Sequence, residues 1–586
     1  MIYSKIPLAQ TVIELCKKHG IRHIIISPGS RNAPLTIGFT HDPYFSCYSI
    51  IDERSAAFFA LGMAQNLNKP TAVVCTSGSA VLNYYPAVAE AYFSNIPLVV
   101  LSADRPEHLI GIGDGQTINQ PHVFKNHIRY SAVLKLDINR DKTLKVKSLQ
   151  VAGDLSTSEL DDPEHLQNKV QYFNENAINM ALHTAYHESG PVHLNIPFDE
   201  PLYETVDALS VSPEKTVFKA PDGVLDPDVL ETCVSDWNSA SKKMILVGVN
   251  TPEGIDEKWL NYFANDPSVV VLTETTSNIH HEKFFPCIDQ FVTPLTEDER
   301  AKLSPDILLT FGGLIVSKRI KALLRKNKPQ QHWHIGAHHA NDTFFSLNRH
   351  IKMTPNLFFE AFLTQVEPIE KATYYPTWSP INKFRLERHN AYIKSIPYSD
   401  FLVFHHIIKG LPKNSNLQVA NSSAIRYTQL FQIDKSINVF CNRGTSGIDG
   451  STSTAIGYAV QSELPTILVT GDLSFFYDSN ALWNNYIPKN FKIILLNNNG
   501  GGIFRILPGQ KNTANFDTYF ETTHQLTAEH ICKTYGIGYR KADSEEGLQK
   551  ELASFYESNT EPQLLEIFTP RTLNDSVLLD YFDFIK

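Results

Sequence analysis

The stretch Leu464-Pro-Thr-Ile-Leu-Val-Thr470, then Gly471-Asp472, and further on Phe491-Lys-Ile-Ile-Leu-Leu496 running into Asn497-Asn498-Asn499-Gly500-Gly501-Gly502, decides how this chain folds. Both apolar segments have the length of a buried strand, and both end in glycine or small polar residues. That pattern puts the polar ends at the carboxyl edge of a parallel sheet, where open α/β sheets bind their ligands. Asp472 offers a carboxylate, Asn498 an amide oxygen and Gly500 a bare backbone carbonyl. Three hard oxygens suit Mg²⁺ when phosphate oxygens and water complete the octahedron. The glycines let the backbone approach a diphosphate closely. Either half alone also reads as an ordinary turn, because Gly-Asp and Asn-Gly are common turn pairs.

Composition sets the bounds. The chain has 586 residues, too many for one core and enough for three or four domains. A hydrophobic content of 42% with 19% charged residues describes a globular protein. The formal net charge is −10 and no basic block stands out, which argues against a nucleic-acid partner. Cys16, Cys47, Cys75, Cys233, Cys287, Cys441 and Cys532 are scattered without a C-x-x-C pair, so neither a disulfide framework nor a zinc site is expected. The N-terminus lacks a signal peptide's basic and apolar regions, and no apolar run reaches the ~20 residues that span a bilayer. A cytoplasmic chain without membrane insertion is the expectation.

Taken in order, Leu8 to His19 has helical spacing and Gly20 stops it. Strand Ile21–Ile26 empties into Ser27-Pro-Gly-Ser30-Arg31-Asn-Ala-Pro34, which is either a surface loop with a solvated arginine or an anion cradle. Glu53 opens a helix of small apolar residues through Ala64, where a carboxylate complements the helix dipole. Strands Thr71–Cys75, Pro97–Ser102 and Val192–Ile196 follow, the second ending in Asp104-Arg105-Pro106. Gly111-Ile-Gly-Asp-Gly115-Gln116 is no dinucleotide fingerprint, since Gln116 replaces its third glycine and no strand directly precedes it. A connector at about 200–220 leads to strands Met244–Val249, Val269–Leu272, Ile307–Phe311 and His332–Ile335. Lys318 and Arg319 in this series read as two cations on a helix surface. Residues 366–380 read as a second linker. The third series carries Asn421-Ser422-Ser-Ala-Ile-Arg426 and Asn442-Arg443-Gly-Thr-Ser-Gly-Ile448-Asp-Gly450 at strand ends, and closes with Leu564–Phe568. The fold class is α/β, with three doubly wound parallel-sheet domains at 1–198, 199–370 and 371–586.

Gly-Asp followed at this separation by Asn-Asn, in the third of three α/β domains, resembles the thiamine-diphosphate decarboxylase-like enzymes. The resemblance covers nearly the whole chain. It implies a pyrimidine-binding first domain, a central α/β domain and a diphosphate-binding third domain. Asp472, Asn498 and the Gly500 carbonyl would hold Mg²⁺ or Mn²⁺, and Glu53 would be the glutamate that activates the cofactor's aminopyrimidine. Ser422, Gly471, Leu473, Ser474, Ile503 and Phe504 would also touch the cofactor, with Ile448 as the apolar wedge that bends it.

Ser27–Leu35, Ser102–Pro106, Asn442–Gly450 and Asn497–Phe504 together resemble a narrower branch, the menaquinone-pathway synthases that use 2-oxoglutarate and isochorismate. That branch implies decarboxylation of the first substrate and 1,4-addition of the resulting succinic-semialdehyde carbanion equivalent to the second. Ser30, Arg31, Arg105, Gln116, Lys318 and Arg319 would face isochorismate. Arg426 and Arg443 would lie on the oxoacid side, and Phe504 and Leu507 would form an apolar wall. Arginines suit two anionic substrates because their fork pairs bidentately with carboxylates. Gly115 departs from the asparagine or other residue that commonly precedes the glutamine. The resemblance also implies a homodimer or homotetramer with active sites between subunits.

Overall fold

The computed structural model describes residues 1–138, 163–216, 218, 225–507, 509, 511, 513–557 and 560–586. The end of the expected first connector, residues 217, 219 and 220, lies outside them. Three parallel sheets flanked by helices carry the structure, one within each of the spans expected from the sequence. Backbone proximity groups them into two compact units. One is residues 1–220 with 444–463 and 478–488; the other is 221–443 with 464–477 and 489–586.

In the first unit the sheet runs Ser46–Ser49, His23–Ile26, Thr71–Cys75, Leu98–Asp104, Val192–Pro197, Tyr130–Val133. The chain starts at His23–Ile26, moves one way to Ser46–Ser49, then crosses back to Thr71–Cys75. The crevice between the loops after His23–Ile26 and Thr71–Cys75 is therefore the switch point of this winding. The central strands are buried on both faces, and Leu8, Val12, Leu35, Phe39, Val99, Leu101, Ile178 and Leu194 join one core.

Helix Glu53–Leu67 begins because the Asp52 side chain accepts a hydrogen bond from the Ser55 N–H at 3.1 Å, and it stops at Asn68 in the left-handed region. Its buried face meets helix Ser451–Val460 with unusual closeness. A Cβ on Gly62 would lie 1.9 Å from the Thr454 carbonyl oxygen, and one on Gly457 would lie 1.9 Å from the Phe59 carbonyl oxygen. Two glycines thus let the backbones touch. Buried Asp478 fixes the start of the second helix, accepting from the Ser453 N–H at 2.7 Å and its hydroxyl at 2.9 Å.

The second unit holds two sheets. One runs Val269–Thr273, Lys243–Val247, Ile307–Phe311, Gln331–Ile335, Leu347–Ile351. The other runs Ile437–Phe440, Ser415–Val419, Thr466–Gly471, Lys492–Asn497, Gln563–Phe568, Gly538–Ala542. The six-stranded sheet repeats the winding of the first in full, and the five-stranded one repeats it through its first four strands, switch point included. In the Val269-led sheet, however, the crevice is shut by main chain. The Gly313 N–H donates to the Val249 carbonyl at 2.6 Å, and a Cβ on Gly248 would lie 2.0 Å from the Gly313 carbonyl oxygen.

The expected linker at 366–380 is only half a linker. Residues 374–393 form a helix, Tyr374–Ile393, despite Pro380 inside it. Tyr374 and Trp378 are buried against Phe285, Phe291 and Leu303, and the Tyr374 hydroxyl donates to the Leu303 carbonyl at 2.5 Å. Packing overrides the weak helix signal of a Pro- and Thr-rich stretch.

Candidate cofactor and metal site

Strands Thr466–Gly471 and Lys492–Asn497 are parallel neighbours, with Gly471 opposite Leu496, so their polar ends emerge side by side. Asp472 is buried. Its Oδ1 accepts from the Leu473 N–H at 2.7 Å and its Oδ2 from the Gly500 N–H at 2.9 Å, which ties the two strand ends together. Gly500 has φ +148°, and a Cβ there would lie 2.7 Å from the Glu521 carbonyl oxygen, so no side chain fits.

The three consecutive asparagines each do a different job. Asn497 Nδ2 donates to Glu566 at 2.7 Å and to the Leu526 carbonyl at 2.9 Å. Asn498 Nδ2 donates to Asp400 Oδ2 at 2.9 Å, which leaves its Oδ1 as the acceptor turned away from that carboxylate. Asn499 Nδ2 donates to the His524 carbonyl at 3.1 Å. Asp400 is itself held by the Thr569 hydroxyl at 2.6 Å and by Asn574, which accepts its N–H at 2.8 Å. Burial raises the Asp400 carboxyl to about 6.

A buried carboxylate and an oriented amide oxygen therefore stand at neighbouring strand ends, one strand along from the switch point between Ser415–Val419 and Thr466–Gly471, with Gly500 tied to the carboxylate by its N–H. A carboxylate, an amide oxygen and a backbone carbonyl are a donor set that fits a hard divalent cation. Among the described residues no group of three His, Cys, Asp or Glu side chains forms an alternative metal cluster. Ser474 is buried at the start of helix Asp472–Tyr477, while Ile503 is half-buried and Phe504 and Leu507 are 36% and 48% exposed.

The strand Ser415–Val419, on the other side of the crevice, leads into Ser422, whose φ of +71° is unusual for serine. Arg426 Nη1 donates to the Ser422 carbonyl at 3.1 Å, and Arg443 Nη1 donates to Asn421 Oδ1 at 2.7 Å. Lys318 and Arg319 are exposed at the start of helix Lys318–Lys326. Ser317 caps that helix by accepting from the Ile320 N–H at 3.1 Å, and its hydroxyl donates to Asp289. Behind them Glu274 accepts from the Val316 and Ser317 N–H groups, both at 2.7 Å. Burial raises Glu274 to about 7, which the nearby Arg443 opposes.

In the first unit, Arg31 is buried: its Nη1 donates to the Phe198 carbonyl at 3.0 Å, and Nη2 lies 3.4 Å from Glu200. The surface-loop alternative for Arg31 thereby falls. Arg105 Nε donates to Asp114 at 2.9 Å, and its Nη1 donates to the Ser77 hydroxyl at 2.7 Å and the Gln116 carbonyl at 3.2 Å. Ser30 and Gln116 are exposed. A Cβ at Gly115 would meet nothing within 4 Å. Glu53 is half-buried in the first turn of its helix and accepts no side-chain hydrogen bond among the described residues. Ile448, 36% exposed, lies in the loop whose base is pinned by buried Glu90, which accepts from the Gly444 and Thr445 N–H groups at 2.7 Å.

Sequence reasoning missed Asp400, Glu274, Asp289 and His524. None sits in a motif. Each acts from a different segment on a residue that does, and only the fold brings them there.

Residues 6–130 match the family model described as the thiamine pyrophosphate enzyme N-terminal TPP binding domain, and residues 421–567 match the C-terminal one. A solved thiamine diphosphate-dependent 4-hydroxybenzoylformate decarboxylase of Rhodococcus jostii superposes with TM-score 0.68 over 96% of this chain and 99% of its own, at 16% identity, a likeness of fold. The fold and site thus define a thiamine-diphosphate enzyme.

Curated relatives narrow this further. The chain is 54% identical to the 2-succinyl-5-enolpyruvyl-6-hydroxy-3-cyclohexene-1-carboxylate synthase of Flavobacterium psychrophilum, over 99% of each chain. It is 54% identical to that of Christiangramia forsetii over 100% of each, and 37% identical to that of Bacteroides thetaiotaomicron over 98% of each. The chain belongs to the 2-succinyl-5-enolpyruvyl-6-hydroxy-3-cyclohexene-1-carboxylate synthase family. It is a transferase of aldehyde residues whose thiamine-diphosphate-dependent reaction belongs to menaquinone synthesis. Among the described residues no helix is long and apolar enough to cross a membrane.

Proposed function

We propose that this enzyme decarboxylates 2-oxoglutarate and adds the remaining four-carbon unit to isochorismate in a 1,4-addition, releasing CO₂. Support comes from the family membership and from one observation above all: the tie between Asp472 and Gly500 beside an Asn498 oriented by Asp400. Asp472, Asn498 and the Gly500 carbonyl would hold Mg²⁺ or Mn²⁺, with Gly471, Leu473, Ser474, Ser422 and Ile503 against the diphosphate. Bound thiamine diphosphate supplies the electron sink for decarboxylation and carbon–carbon bond formation.

The remaining work belongs to the chain's own side chains. Glu53, whose side chain has no hydrogen bond among the described residues, would hold a proton for the cofactor's pyrimidine nitrogen. Ile448 would brace the cofactor, while Phe504 and Leu507 would keep water from the reacting carbon. Arg426 and Arg443 would bind the oxoacid carboxylates. Ser30, Arg31, Arg105, Gln116, Lys318 and Arg319 would receive the two carboxylates of isochorismate, so that charge rather than shape alone selects the substrates. The domain borders at 198/199 and 370/371 and a homodimer or homotetramer, with active sites between subunits, belong to the same reading.

The test is a mass-spectrometric product assay with both substrates, thiamine diphosphate and Mg²⁺. The expected product is the named cyclohexene carboxylate, with CO₂ release that requires 2-oxoglutarate. CO₂ from pyruvate with no response to isochorismate would overturn the substrate assignment. Sedimentation of a fully active monomer would overturn the oligomer.

A further inference from the structure

His524 lies on a segment, residues 521–526, that runs along the glycine loop like an added strand. The Gly501 N–H donates to the Glu521 carbonyl at 2.6 Å. The His524 N–H donates to the Asn499 carbonyl at 3.3 Å, and the Asn497 side chain reaches the Leu526 carbonyl. The segment is anchored at its base by buried Arg505, whose Nε and Nη2 meet the two carboxylate oxygens of Glu521 at 2.5 and 2.6 Å. The imidazole is therefore held at both its backbone and its ring. The edge of Phe476 packs across the ring at 5.5 Å between centroids and 89° between planes.

The ring nitrogens are distinct. Nδ1 accepts the Leu526 N–H at 3.1 Å, so in the neutral ring the proton sits on Nε2, which is then a donor. Nε2 is buried and lies 3.2 Å from Asp472 Oδ2, yet its N–H axis misses that oxygen and it has no hydrogen-bond partner among the described residues. Asp472 Oδ2 is already served by the Gly500 N–H. A buried donor without an acceptor, held this firmly beside a candidate metal ligand, calls for a ligand acceptor.

We infer that His524 Nε2–H is a binding contact for an oxygen of the bound diphosphate, completing the site from outside the Gly-Asp and Asn-Asn segments. This rests on the reading of Asp472, Asn498 and Gly500 as the diphosphate–metal site. No bond is made or broken, and the imidazole acts as a neutral donor.

The test is calorimetric titration of the full-length enzyme with inorganic pyrophosphate and with thiamine diphosphate, each in saturating Mg²⁺. The variants are H524L, H524Q and H524N, with thermal melts to confirm folding. The glutamine amide nitrogen reaches the position of Nε2, whereas the asparagine nitrogen reaches only that of Nδ1. H524L and H524N should weaken both ligands about 10- to 100-fold, the loss of one hydrogen bond to a charged oxygen, and H524Q should stay within a few-fold of wild type. Should H524L not fold, the glutamine–asparagine pair decides alone. Equal affinity across the variants, with D472A binding neither ligand, overturns the role of His524 and leaves the parent site intact. Failure of wild type to bind either ligand overturns both.

Discussion

Replacing Gly457 by alanine tests the crossing of helices Glu53–Leu67 and Ser451–Val460. The new methyl would lie 1.9 Å from the Phe59 carbonyl oxygen and 2.6 Å from its carbon, both backbone atoms that cannot rotate away. An ordinary carbon–oxygen contact is about 3.4 Å, so the helices must part by about 1.5 Å. Overpacking of this kind costs about 3 kcal/mol, and alanine's better helix propensity returns about 1 kcal/mol, leaving about 2 kcal/mol. In a unit of about 250 residues that lowers the melting temperature by about 4–8 °C. Gly410→Ala is the control: it ends a helix, and its methyl would meet only a Tyr556 ring carbon at 3.8 Å. It should leave the melting temperature unchanged or raise it. Differential scanning calorimetry reads both. Because the crossing joins the helix headed by Glu53 to the one preceded by Ile448, turnover should fall with Gly457→Ala as well. A Gly457→Ala protein that melts with wild type would show that the two backbones do not touch as described.

Three further outcomes are expected. Glu53→Gln should retain thiamine diphosphate binding by calorimetry while losing nearly all turnover, and a fully active variant would remove the activation role. Arg505→Met should cost about 3 kcal/mol in urea unfolding, because among the described residues it leaves the buried Glu521 carboxylate with Arg571 alone, at 2.6 Å. Glu274 has its carboxyl raised to about 7 by burial, above its unfolded value, so it contributes stability below about pH 4 that is lost as pH rises through 7. Glu274→Gln should flatten the stability profile of its unit between pH 4.5 and 7 by up to about 1.4 kcal/mol per pH unit, read from melting temperatures across that range.

The buried strands were legible because burial on both faces writes a continuous apolar run: Thr71–Cys75, Ile307–Phe311 and Lys492–Asn497 lie within a residue or two of expectation. The edge strands Ser46–Ser49 and Tyr130–Val133 were not, because half-buried edges carry serine and tyrosine as readily as valine. Asp472, Asn498 and Gly500 could be read from the sequence because glycine and asparagine at strand ends mark the edge where ligands bind. Asp400 and His524 could not, since each reaches those residues from another segment and no spacing encodes the approach. The helix at 374–393 was hidden by its prolines; the burial of Tyr374 and Trp378 that stabilises it is a property of the fold.

The shut crevice in the Val269-led sheet has a consequence for redesign. The three sheets share the same switch point, and in this one a pair of side-chain-free residues, Gly248 and Gly313, lets the peptide planes close over it. A third ligand cleft is thus withheld by the smallest available device. A bulky residue at 248 would have to pry the two loops apart, and the resulting gap would be a natural starting point for engineering a foreign binding pocket into this scaffold.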